Sequence, residues 1–140
     1  MRTFKFRGKG IKSGQWFYGS AVSFGNKAYI FKMLRLLRME HAEVDPETIG
    51  QFTGLKDKNG VEVYEGDIIE WTETHYHAIG VVAWREQIGI KDTEAAYNVG
   101  WCVEEYKGKV TYIIAPSAVP HGVVVGNVHD NYELLKGEQE

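Results

Sequence analysis

The segment Arg2-Thr-Phe-Lys-Phe-Arg7 alternates strictly, with Phe4 and Phe6 on one side and Thr3, Lys5 and Arg7 on the other. A period of two predicts a half-buried strand, because successive strand side chains point to opposite faces. Gly8, Gly10 and the Ser13-Gly14 pair interrupt the pattern. Gln15–Tyr18 then opens a second strand, so the two read as a hairpin with a loop of several residues. A turn at Gly25-Asn26 leads into a third strand, Lys27–Phe31. Residues 32–43 admit two readings. Met33, Leu36, Leu37 and Glu40 fall at helical spacing, whereas Leu34, Leu36 and Arg38 fit an extended chain. No clear cap marks a helix start, and the strand reading is preferred.

Asp45-Pro-Glu-Thr48 predicts one short helical turn. Asp45 can cap it, Pro46 suits the first helical position and Glu47 favours the positive end of the dipole. Asp57-Lys-Asn-Gly60 is a tight turn, since Asn and Gly tolerate the positive φ such turns demand. Short apolar runs follow at Val61–Tyr64, Asp67–Glu73, Ile79–Arg85, Ile88–Asp92, Trp101–Tyr106, Val110–Ala115 and Val123–Val125. Each is bounded by Gly, Asn, Asp, Pro or Lys-Gly. Many short strands at this spacing predict a mainly β domain, a small barrel or roll. Asp130–Lys136 predicts a last helical turn stopped by Gly137. No repeat and no low-complexity run is present, and any internal boundary falls near Glu43–Thr53.

Composition narrows the class. With 140 residues, 44% of them hydrophobic and 25% charged, the chain has the size and balance of one globular domain. Sixteen glycines against three prolines, and 18 aromatics, suit tight turns between aromatic-rich strands. No apolar run approaches the ~20 residues that cross a bilayer as a helix. The basic N-terminus lacks the apolar stretch of a secretory signal. Cys102 is the single cysteine, which excludes an internal disulfide and fits a reducing cytoplasm. The expectation is a cytoplasmic protein with no membrane partner.

The net charge of −3 conceals a division. Residues 1–39 hold nine Lys and Arg and no acid, a charge of +9; residues 40–140 carry −12. So uneven a layout is a statement about partners. The cations are Arg2, Lys5, Arg7, Lys9, Lys12, Lys27, Lys32, Arg35 and Arg38, interleaved with eight aromatics from Phe4 to Phe31. Cations attract phosphate and exposed rings stack bases, the ingredients of single-strand binding on small β domains. Yet Phe4 and Phe6 alternate with the charges, which assigns them to a core, and the acidic remainder repels a polyanion. Packing of the basic strands against acidic surface, within one chain or between copies, is the preferred reading.

The stretch Glu43-Val-Asp-Pro-Glu-Thr-Ile-Gly-Gln-Phe-Thr-Gly-Leu-Lys-Asp-Lys-Asn-Gly-Val-Glu-Val-Tyr-Glu-Gly-Asp-Ile-Ile69 resembles the YopX family of phage and prophage proteins. So do the ending Val124-Val-Gly-Asn-Val-His-Asp-Asn-Tyr-Glu-Leu-Leu135 and the opening Phe4-Lys-Phe-Arg7. Residues 70–120 match only loosely. The resemblance implies an SH3-type barrel or roll, a phage or prophage origin and homo-oligomers, and it carries no chemistry. Physically, the motif reads as structure. Asp57, Asn59 and Gly60 turn a hairpin, while Glu65, Gly66 and Asp67 make a sharp corner, with Gly66 free to take a left-handed or bulged backbone and Asp67 to bind nearby amides.

Candidate chemistry is weak throughout. His75 and His77 share a face if extended, with Glu73, His41, His121 or His129 as further ligands, but the spacing matches no structural zinc pattern. Asp57–Gly60 lacks the earlier acid of a calcium loop, since Leu55 stands there. Cys102 sits between Trp101 and Val103 without the context of a nucleophile. Glu104 and Glu105 point to opposite faces of a strand; Glu65 and Asp67 share one, in a turn where capping is the ordinary use. Gly8-Lys-Gly10 lacks the spacing of a phosphate loop. The expectation is therefore a non-enzymatic protein without cofactor or metal, acting by binding or scaffolding and by self-assembly. Its architecture would be an SH3-type barrel or roll over 44–137, preceded by a basic β extension over 1–43, with one or two short helical turns.

Overall fold

A computed structural model describes residues 4–74, 76–84, 87–89, 96–98, 101–107, 110–114 and 116–136. The chain divides into two compact units, Met1–Gly54 and Leu55–Glu140.

The first unit is an antiparallel sheet of β1 (Phe6–Lys9), β2 (Trp16–Phe24), β3 (Lys27–Arg35), β4 (Arg38–Val44) and β5 (Gly50–Lys56), in the order β4-β3-β2-β1-β5. Residues 32–43 are thus extended, with a turn at Leu36-Leu37. Alternation sorts the side chains. Ala28, Ile30 and Val44 are buried together with Phe6, Phe17, Ala21 and Ile49 packed around them. Gly8 makes this packing possible, because a Cβ there would stand 2.8 Å from Val44 Cγ2. The 3₁₀ turn Pro46–Thr48 follows β4, and Asp45 Oδ1 accepts the Glu47 N–H at 3.0 Å as the turn's cap.

β2 serves two neighbours in succession. Residues Trp16 to Gly19 pair with β1, and Ser20 to Phe24 pair with β3. The change of partner falls at Gly19, where a Cβ would run into the carbonyl oxygen of Phe31. Only glycine lets the two backbones approach this closely.

β5 runs past Gly54 into a hairpin with β6 (Glu62–Tyr64) around the turn at Asp57–Gly60. The remaining elements of the second unit are β7 (Asp67–Glu73), β8 (Tyr76–Trp84), β9 (Gln87–Gly89), β10 (Ala96–Asn98), β11 (Trp101–Lys107), β12 (Val110–Ile114) and β13 (Val123–Asn127). Five of them form a sheet in the order β12-β11-β8-β7-β13, and β9 pairs with β10 alone. All pairings are antiparallel, and a bulge at Val125 interrupts β13. The core is Val63, Ile69, Trp71, Ala78, Val82, Val103 and Val119. Trp71 Nε1–H donates to the Ala118 carbonyl at 2.9 Å, so the large ring enters the core without stranding its donor.

The chain is mainly β, as the alternation indicates, and neither large sheet closes into a barrel. A 3₁₀ turn over Pro116–His121 was not expected from the pattern; the expected C-terminal turn is Tyr132–Leu135. No helix among the described residues is long and apolar enough to cross a membrane.

Candidate functional site

Two buried carboxylates organise the second unit. Asp57 Oδ1 accepts the N–H groups of Asn59 and Val61, both at 2.8 Å, and its Oδ2 accepts the Val124 N–H at 2.9 Å. Gly60 closes the same turn with φ +81°. One side chain therefore shapes its own hairpin and fastens β13 from 67 residues away. Asp67 Oδ2 accepts the Tyr64 N–H at 2.7 Å across the corner. Between them in that corner, Gly66 (φ +90°) donates to the Val82 carbonyl and accepts from the Val128 N–H, both at 2.9 Å. The Asp67 carboxylate thus braces the corner through a backbone amide, the capping use expected of it.

Among the described residues the cations of the first unit differ in setting. Arg2 lies outside the described residues. Lys5 Nζ stands 5.1 Å from the centre of the Phe52 ring, and the buried Arg7 guanidinium 4.8 Å from that of Trp16. Both are cation–π contacts that hold the cations against aromatic faces. Lys9 is half-buried, its backbone N–H donating to Thr48 Oγ1 at 2.8 Å. Lys12, Lys27, Lys32, Arg35 and Arg38 are exposed. Lys32 faces Glu40 across β3 and β4, and Arg35 faces Arg38 at the hairpin end.

On the side of the first sheet opposite its core, the register brings aromatic rings into a row. Phe24 meets Tyr29 at 6.3 Å, Tyr29 meets Phe31 at 6.5 Å, and Phe31 stacks on His41 at 5.4 Å and 23°. Tyr18 stands on the same face two residues before Ser20, the partner of Phe31. Phe24 is 66% exposed and Tyr18 42%. A cleft of about 130 Å³ is lined by Trp16, Phe17, Tyr18, Ile30, Lys32, Glu40 and His41, residues of both faces of the sheet. The row escapes sequence reasoning because Lys27–Phe31 is apolar on both faces, so alternation does not say which rings are buried.

The end of the β3–β4 hairpin is the second unusual surface. Leu36 is 92% exposed and Leu37 99%, with Met33, Leu34 and Met39 also exposed. Leu37 has φ +63°, alone among the described non-glycine residues in that region. A branched-chain residue there is strained by about 1–2 kcal/mol.

The remaining candidates are dispersed. His77 Nε2 lies 3.6 Å from Glu70 Oε1, while His41 stacks on Phe31 in the other unit. Among the described residues no three of His, Cys, Asp and Glu gather as metal ligands; His75 lies outside them. Cys102 pairs with Ala83 in the β11–β8 ladder, and its side chain is outside the described set, as is that of Glu105. Glu104 is half-buried opposite Val81 and Ile113.

The family model described as YopX protein matches residues 5–136. The chain belongs to the YopX family. No curated protein matches this YopX-family chain. Among solved structures it is similar to the crystal structure of protein EF1440 from Enterococcus faecalis. That likeness has 21% identity and a TM-score of 0.52, covering 96% of this chain and 99% of the other. At that identity it establishes shared fold.

Proposed function

We propose that this YopX-family protein is a non-enzymatic accessory of phage or prophage origin, acting in the bacterial cytoplasm as a self-assembling binding module. The observation that carries the reading is the β3–β4 hairpin end, where five large apolar side chains face solvent around a turn with a strained leucine. Exposed apolar residues scattered singly are ordinary, but a contiguous cluster marks a contact surface. Burying a leucine is worth about 1.5–3 kcal/mol, so two such side chains left open at a tip favour association whenever a complementary surface is offered.

Charge points to the partner. The β3–β4 hairpin carries Lys27, Lys32, Arg35 and Arg38 against Glu40 and Glu43, and residues 1–54 sum to +5 while residues 55–140 sum to −8. A second copy of the chain therefore supplies both an acidic surface and an equal hairpin, and opposite potentials speed encounter and set register.

The test is Leu37→Gly, which removes the side chain and suits the positive φ, so the hairpin itself is kept. Light scattering behind size exclusion, at low and high salt, is expected to show an oligomer for the parent and a monomer for the variant. A parent that is strictly monomeric at both, or a variant that assembles as well as the parent, overturns the proposal.

A further inference from the structure

We propose that the ring row of the first sheet is a binding platform for single-stranded nucleic acid, with bases stacked on the rings and the backbone held by the cations that share the face. This proposal does not depend on self-assembly, since it uses the sheet face and not the hairpin end.

The rings are placed for stacking. Phe24, Tyr29, Phe31 and His41 form an unbroken series of ring contacts across three strands, with Tyr18 beside it. Tyr29 and Phe31 are half-buried and Phe31 is stacked by His41, so the rings open to a base are the exposed Phe24 and Tyr18. These rings do not fill the core: Ala28, Ile30 and Val44 do that from the other side. Phe24, at the far end of β2, is 66% exposed.

Charge on the same face has the sign a phosphate backbone requires. By register the exposed Lys27 faces Phe24 and the half-buried Lys9 faces Trp16, whereas Arg7, opposite Tyr18, is buried against Trp16 and takes no part. The acid that shares their face on β4 is Glu43, opposite Tyr29, whereas Glu40 pairs with Lys32 on the other face. A rigid duplex hides its base faces, so the partner indicated by exposed rings together with cations is a single strand.

Fluorescence anisotropy with labelled 15-mer dT and rU oligonucleotides tests this on the full chain at ~50 mM salt, with duplex DNA and heparin as comparisons. Binding of either single strand is expected, weakening as salt rises. Phe24→Ala and Tyr18→Ala are each expected to weaken it about tenfold, the scale of one lost base stack. Lys27→Glu should lower the slope of log K against log salt by about one or more. Leu37→Gly is expected to retain binding, so failure of self-assembly and failure of this site are separate results. Absence of binding at micromolar protein overturns the proposal. So does binding that heparin or duplex matches and that Phe24→Ala leaves unchanged, which would mark mere charge. The relative affinities of dT and rU then assign the strand as DNA or RNA.

Discussion

Replacing Asp57 separates the two functions of its carboxylate. The side chain is 5% exposed and accepts three backbone N–H groups, two within its own turn and one from β13. Hydrogen bonds to a charged acceptor contribute about 1.5–3 kcal/mol each, so the three sum to an upper limit that the structure then reduces. Asn59 and Val61 are exposed, and water can take over their amides; Val124 is half-buried and its amide is harder to resolvate. On that basis Asp57→Ala is expected to cost about 3–4 kcal/mol. Asp57→Asn keeps the oxygen facing the turn but sets an NH₂ against the Val124 N–H. It is expected to cost about 2 kcal/mol, nearly all of it at β13. Urea unfolding gives the totals, and hydrogen exchange at the Val124 amide locates the loss. An Asn variant within about 0.5 kcal/mol of the parent, with Val124 still protected, would refute the claim that this carboxylate fastens the strand.

Two further substitutions, and one control, test the packing. Gly19→Ala drives a methyl group into the Phe31 backbone and is expected to cost about 1–3 kcal/mol, measured by urea unfolding, whereas Gly14→Ala, with open space around its Cβ position, meets only the penalty of φ +67°. Equal losses from the two would show that strand approach at Gly19 is not limiting. Trp71→Phe removes the 2.9 Å bond to Ala118 and part of the core volume, for an expected loss of about 1–3 kcal/mol and a fall in near-ultraviolet dichroism.

Much of the architecture is legible where local chemistry dictates it. The turn at Gly25-Asn26 and Asp45 ahead of Pro46 announce their structure through positive φ and capping, and the opening alternation announces a strand but not its faces, since Phe4 is exposed. The segment 32–43 is harder because Leu36-Leu37 turns the chain without glycine or asparagine, so the pattern gives no sign of where the hairpin reverses. The cations mislead for another reason. Arg7 reads as surface charge, yet it is buried against Trp16, and no local rule anticipates which guanidinium an indole will cover. The ring row is hidden because Ala28 and Ile30 make the inner face as apolar as Tyr29 and Phe31 make the outer one. The role of Asp57 as a turn residue is local and readable; its bond to Val124 depends on tertiary contact 67 residues away.

That long bond bears on how the second unit is made. Chains dominated by distant contacts fold slowly, because loop closure must precede the interactions that reward it. During synthesis the Asp57 carboxylate leaves the ribosome well before its last partner amide exists, and β7 emerges without the strand that will cover its outer edge. The hairpin can form early, but the sheet of this unit stays open along β7 until residues 123–127 have been translated. Any nascent chain halted short of Val124 therefore presents an unpaired strand to its surroundings, the form most readily bound by a chaperone or by another incomplete chain.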